Sequence, residues 1–303
     1  MPDNGAQRRS RSYKLAIEDQ EFLLREEMRA FRFGMEFAKA DLSLRDWGIR
    51  STVVVFGSAR IPSRETAESE LAEARDATGR KAARRRLAQS VHYEHAREFA
   101  RVVSLRGGAL APASAHRDNV IATGGGPGIM EAANRGAADV GAPSVGFNIT
   151  LPSEQVPNAY STPGLTFQFH YFAMRKMHLA MRANALAIFP GGFGTFDEFF
   201  EILTLVQTKK APMVPIVLFG RDYWTEVLNF PALVRHGMVD ERDIALFDMV
   251  DDPEEGWASL VRRGLRAHTP VHDTPKDPAE PPLRARGAAG RRKPAARKPA
   301  PGG

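Results

Sequence analysis

Residues 119–141 read NVIATGGGPGIMEAANRGAADVG. A short apolar run ends at Thr123, the next five residues hold four glycines and a proline, and an alanine-rich amphipathic segment follows. Strand, glycine turn and helix in that order is the unit from which parallel sheets are built, because parallel neighbours are joined by a crossover. Glycines at such a turn let backbone N–H groups face outward at a helix N-terminus. There the unsatisfied donors and the helix dipole attract an anion, most often phosphate.

The same unit recurs on both sides. Upstream, TVVVFGSAR from Thr52 is a β-branched run of strand length, the pattern of a buried parallel strand meeting its loop at Gly57, Ser58 and Arg60. Downstream come a strand in PSVGFNITL, a helix in FAMRKMHLAMRANA, a strand at LAIF and a second glycine loop, PGGFG. The helix TFDEFFEILTLVQT, the strand VPIVLF, the helix DYWTEVLNFPALVRHG and a last strand at FDMV complete the series. Residues 13–45 predict a helical arm of two helices. Ser63 to Gln89, rich in Ala, Glu and Arg, predicts a solvated helical insertion, followed by an amphipathic helix in HYEHAREFARVVSLRGG. The expected architecture is α/β, a Rossmann-like doubly wound parallel sheet with helices on both faces. Its expected divisions are an N-terminal helical arm over 1–50, a nucleotide-binding catalytic domain over 51–267, and a disordered basic tail over 268–303.

Composition limits the chemistry. With 303 residues, 43% of them hydrophobic, the chain can bury a large core. It has no cysteine, which excludes disulfides, thiolate nucleophiles and zinc ribbons together. No window approaches the roughly 18 apolar residues of a membrane span, and no apolar segment follows the basic N-terminus, so the expected address is the cytoplasm. The net charge of +6 sits at one end. Seven of the 42 Lys and Arg lie between Leu283 and Gly303, and the remaining 35 are balanced by 36 acids. That Pro, Ala, Gly and Arg tail has no apolar periodicity, and weak nonspecific contact with nucleic acid is the only partner it suggests.

In an open parallel sheet ligands bind at the carboxyl ends of the strands, where strand order reverses. Three such ends carry special loops: Ser58 after the first strand, Gly124, Gly125, Gly126 and Gly128 after the second, and Gly191, Gly192, Gly194 and Thr195 in the second glycine loop. Their expected ligand is phosphorylated. Neither glycine loop has the Gly-Lys-Ser/Thr ending of a Walker sequence, and Ile129 occupies the third small position of a dinucleotide fingerprint, so kinase, NTPase and dehydrogenase readings recede.

Two further positions carry chemistry. Glu198 follows Thr195 by three residues. It is either half of a capping box with Thr195 or a carboxylate at the ligand, kept ionised by the dipole of a first helical turn. Arg175 is either a clamp on phosphate or departing base, or a surface salt bridge. Beside it Lys176 is auxiliary, and Asp197 reads as a solvated helix charge. Glu131 either holds ribose hydroxyls or is a helix-start acid, and Ser58 either donates to phosphate or caps the next helix. His92 and His95 lie three apart on one helix without a third ligand, so no metal site is expected.

Taken together, GGGPGIMEAANRGA, GFNITLPSEQVPN, FHYFAMRK and PGGFGTFDE resemble the LONELY GUY family, cytokinin-activating phosphoribohydrolases also described as possible lysine decarboxylases. The resemblance is to its longer bacterial branch and covers Ser51 to about Val250. It implies hydrolysis of the N-glycosidic bond of AMP or an N6-substituted AMP to free base and ribose 5-phosphate. It also implies an essential pair at Arg175 and Glu198, no metal or organic cofactor, and a homodimer or larger closed oligomer. The insertion over Ser63 to Gln89 and the long approach ALAPASAHRDN depart from the family pattern at the ligand edge. A nucleotide or cofactor carrier on the same fold is the alternative. A pyridoxal phosphate enzyme would need Lys176 as its Schiff base.

Overall fold

The β-branched run at Thr52–Phe56 forms β1, buried along its whole length, at the centre of a seven-stranded sheet. The computed structural model describes residues 3–111, 116–151 and 156–265. The tail expected over 268–303 lies outside them. The other strands are β2 (Val120–Thr123), β3 (Ser144–Ile149), β4 (Thr166–Phe169), β5 (Ala183–Ile188), β6 (Ile216–Phe219) and β7 (Phe247–Val250). Their spatial order is β4-β3-β2-β1-β5-β6-β7, and every pairing is parallel. The chain winds outward from β1 to β4, returns to lay β5 against the other side of β1, and winds outward again. This is the doubly wound, Rossmann-like α/β sheet with helices on both faces. Its switch point lies between β1 and β5.

Four elements of the sheet domain, and the arm, differ from expectation. Thr166–Phe169 is an additional edge strand, paired with β3 from Gly146↔Thr166 to Ile149↔Phe169. The insertion over 63–89 is not a separate unit. A helix at Arg64–Glu73 is followed by one unbroken helix, Ala77–Arg106, which runs through the boundary expected near Gln89. Nothing in the sequence there breaks a helix; what changes is exposure, since its first turns are solvated and its later turns bury Tyr93, Phe99 and Val103. The helix expected from Asp222 to Gly237 is two, Arg221–Val227 and Phe230–Arg235, because Pro231 requires a new first turn, capped by Asn229. Finally, Pro253–Arg262 forms a terminal helix capped by Asp252.

The arm is a chain of single turns up to Met28 and then one helix, Arg29–Asp46, rather than two helices. It is held to the sheet by polar ties just past β4 and just before β5. The Glu36 carboxylate accepts the His170 and Tyr171 backbone N–H groups at 2.9 and 3.2 Å, and Arg182 pairs with buried Asp41 at 2.5 Å. Ala40 and Leu44 enter the core.

Candidate active site

At the switch point the loops leaving β1 and β5 are stitched together by backbone bonds, Phe189 N–H to the Phe56 carbonyl at 2.8 Å and Ser58 N–H to the Pro190 carbonyl at 3.0 Å. The floor they make opens into a cleft of about 670 Å³. That volume lies within the range of small-molecule sites. Of the residues singled out in the sequence, Ser58, Gly124, Arg175, Gly191, Gly192, Gly194, Thr195 and Glu198 line it.

Gly124 stands where it does because of Arg175. A Cβ at Gly124 would come within 2.5 Å of an Arg175 guanidinium nitrogen. The guanidinium is anchored from behind, its Nε–H donating to the Phe147 carbonyl on β3 at 2.9 Å. Burial lowers its pKa from the ordinary value, while the charge of Glu198 pulls it back. Among the described residues no carboxylate lies within salt-bridge distance of Arg175, so it is no surface ion pair and its Nη edge faces the cleft's first glycine loop.

Glu198 is not a cap. The helix begins two residues before Thr195, at Phe193, with Gly192 as its N-cap and no side-chain cap bond. Thr195 therefore sits inside the first turn, its hydroxyl packed against Gly191, and Glu198 falls in the second turn, 7% exposed. The expected place in the first turn, beside the positive end of the helix dipole, does not hold either. Burial raises the Glu198 pKa above the ordinary glutamate range, and the nearby Lys176 and Arg175 only partly offset it. The dipole falls off within the first turn, and a carboxylate one turn further in meets desolvation instead.

Lys176 lies behind the cleft wall, its ammonium 2.7 Å from Asp197 and 2.6 Å from Glu201. Burial works against its charge, but the hydrogen bonds to those two carboxylates outweigh it and the pKa is raised. Asp197 is thus paired rather than simply solvated, though still more than half exposed.

Five expected contacts are not at the cleft. The carbonyls of Gly125 and Gly126 are taken by Asn158, through its backbone N–H at 2.9 Å and its side-chain amide at 3.0 Å. Gly128 lies beneath the first loop at φ +71°, where a Cβ would meet the Ser58 carbonyl oxygen at 2.4 Å. Its role is to let the helix Ile129–Ala138 begin directly under β1's loop, with Ile129 N–H donating to the Ser58 carbonyl at 3.1 Å. Glu131 opens toward a neighbouring cavity and accepts the Tyr93 hydroxyl at 2.8 Å. Lys176 is the fifth, engaged as described. Ser58 does not cap the following helix either: Ser63 does, and the Ser58 hydroxyl accepts the Arg60 N–H at 3.1 Å.

The structure adds residues to which the sequence reading gave no role. Tyr223, from the helix after β6, donates its hydroxyl to the Gly191 carbonyl and fixes the second loop from below. Met130, Phe172 and Phe193 supply apolar walls, Phe193 being almost entirely exposed. A glycine before an aromatic in a loop was visible in the sequence, but not that the aromatic would stand at the cleft mouth.

A family model described as "Possible lysine decarboxylase" matches residues 130–260. That stretch is a domain of this family. The match takes in Arg175, the second glycine loop and Glu198, and begins just past the first glycine loop. None of the curated proteins compared matches the chain. Solved structures similar to it include the X-ray structure of TM1055, 20% identical over 70% of this chain and 99% of that one, with a TM-score of 0.43. The molybdenum cofactor binding protein from the phototrophic bacterium Rippkaea orientalis is 16% identical, over 70% of this chain and 96% of that one, at 0.42. The Moco carrier protein from Chlamydomonas reinhardtii is 17% identical, over 71% and 97%, also at 0.42.

Proposed function

We propose that the cleft hydrolyses the N-glycosidic bond of a nucleoside 5′-monophosphate, AMP or an N6-substituted AMP, to free base and ribose 5-phosphate. The observation that carries this reading is the burial of Glu198 at the switch-point cleft, with Arg175 opposite and no capping duty for the carboxylate. A buried acid without a structural role, and with a perturbed pKa, marks a reacting centre. The 5′-phosphate is assigned to the loop N–H groups around Ser58 and Gly191 to Gly194, with Arg175 as the clamp. The C1′–N bond breaks with its electron pair leaving on the base, which gains a proton. Ionised Glu198 stabilises the oxocarbenium-like sugar until water adds at C1′. Phe172, Phe193 and Met130 are assigned to the base.

The test of phosphate anchoring is a comparison of AMP with adenosine. Adenosine should be far the poorer substrate, and equal turnover of the two would remove the argument. A carrier function for the same cleft is the second reading, since one fold serves both enzymes and ligand carriers. Tight AMP binding without release of base would select it.

The helices around the cleft leave apolar surface uncovered. Phe31, Met35 and Leu42 share a face of the arm helix, and Phe172, Met177 and Met181 lie on the helix it packs against. A symmetric homo-oligomer through this surface is part of the proposal. Light scattering should give a dimer or larger; a fully active monomer at nanomolar concentration would contradict it.

A further inference from the structure

The helix Ala77–Arg106 has an N-terminal half that buries little of itself, and the cleft does not end at the glycine loops. Past Ser58, Gly191 and Tyr223, all of which line both spaces, it continues into a trough of about 440 Å³ walled by that half-helix. Arg60 stands at the junction and lines the cleft and the trough alike. From the helix come Arg85, Arg86 and Gln89. Among the described residues no carboxylate lines the trough, in contrast to the cleft with Asp197 and Glu198 and to the neighbouring cavity with Glu131.

Charge in the trough is only partly balanced. Arg86 is held by Glu70 through two hydrogen bonds of 2.6 and 2.8 Å, which fixes the wall. Arg60 and Arg85 have no carboxylate within salt-bridge distance among the described residues. Most arginines of the sheet domain, such as Arg97, Arg101, Arg106 and Arg135, are paired with a carboxylate. Two arginines without a carboxylate partner, lining one trough beside the loops to which the phosphate is assigned, suit a second anion, since guanidinium forks match phosphate oxygens.

We propose that the trough receives the second phosphate of a nucleotide bearing a 5′-diphosphate. This inference rests on the assignment of the first phosphate to the glycine loops. The trough begins where those loops end, so a β-phosphate continues from the α-phosphate past Gly191 toward Arg60 and Arg85. The insertion, which departs from the family pattern, thereby acquires a role: its helix adds a contact for a second phosphate beside the monophosphate site.

Calorimetric titration of the full chain with AMP and with ADP, in about 150 mM salt without added divalent metal, tests it. ADP should bind about tenfold tighter than AMP, on the scale of one charge-assisted contact pair. Arg85→Glu should abolish that advantage and leave AMP affinity unchanged, because Arg85 does not line the cleft. Arg84→Glu, an exposed neighbour on the same helix that does not line the trough, should retain it. Unchanged AMP binding in each variant shows that it has folded. Equal affinities of AMP and ADP for the unaltered protein would overturn the inference while sparing the hydrolase reading. Equal losses in the two variants would reduce it to general electrostatic attraction and overturn it as well. Failure of both nucleotides to bind would remove both readings together.

Discussion

Glu198 is where function and stability pull in opposite directions. Its pKa is raised by burial, so the folded state holds its proton more tightly than the unfolded chain does. The contribution of this group to stability is therefore largest at low pH and is lost as pH rises through the folded value. At neutral pH Glu198→Gln should melt no lower than the parent, and should melt higher if the carboxylate is ionised there. Turnover should fall by about two orders of magnitude, the scale of losing one electrostatic stabiliser. A variant that keeps its rate and melts several degrees lower would return Glu198 to a structural role. The same shift sets the pH profile: kcat/KM should decline on the acid side with a midpoint above the usual glutamate value of about 4.3, and Glu198→Gln should flatten that limb.

At the scale of elements, the junction of β1's loop with the helix Ile129–Ala138 carries the site. Gly128 is its narrowest point, with positive φ and backbone of Ser58 and Ala59 where a side chain would be. Gly128→Ala should destabilise by more than about 1 kcal/mol, read as a lowered Tm, because an alanine would be strained in φ as well as clashing. A Tm unchanged within error would mean that the loop moves freely off the helix. This junction was legible in the sequence, since a strand, a glycine run and an amphipathic helix leave few alternatives. Other elements were less so. The strand Thr166–Phe169 has only four residues and alternates in burial at the sheet edge, too short for periodicity to declare it. The helix carrying Glu198 starts at Phe193 because Gly192, not Thr195, ends the loop, and a threonine followed by an acid three residues on mimicked a helix start. The terminal helix has a plain local signal in Asp252, Pro253, Glu254 and Glu255, a cap, a first-turn proline and two acids. In the site itself eight of the residues that line the cleft were singled out from motifs. Tyr223 comes from an element brought there by the winding of the sheet, which no local pattern records.

For the whole molecule, acid should act through buried groups other than Glu198. His178 is fully buried among Phe37, Phe147 and Phe169, and burial holds its pKa below the ordinary histidine value. Burial lowers His92 as well. Such groups bind a proton more readily in the unfolded chain, so stability is full above about pH 6.5 and declines below it. Asp248 accepts hydrogen bonds from Arg263, Ser259 and Arg262, tying β7 to the terminal helix, and its pKa is lowered, so its contribution persists until the pH falls below about 3.9. Thermal melts should show a loss beginning near pH 6.5 and a steeper one below pH 4. His178→Leu should lessen the first; an unchanged slope between pH 6.5 and 5 would mean that His178 takes its proton in the folded state. The central claim concerns bond cleavage, and one measurement meets it directly: incubation of the full-length protein with AMP and chromatography of the products. The account predicts adenine and ribose 5-phosphate in equal amounts, with Glu198→Gln releasing neither at a comparable rate. AMP recovered intact from a protein that demonstrably binds it would contradict the hydrolase and leave a carrier in its place.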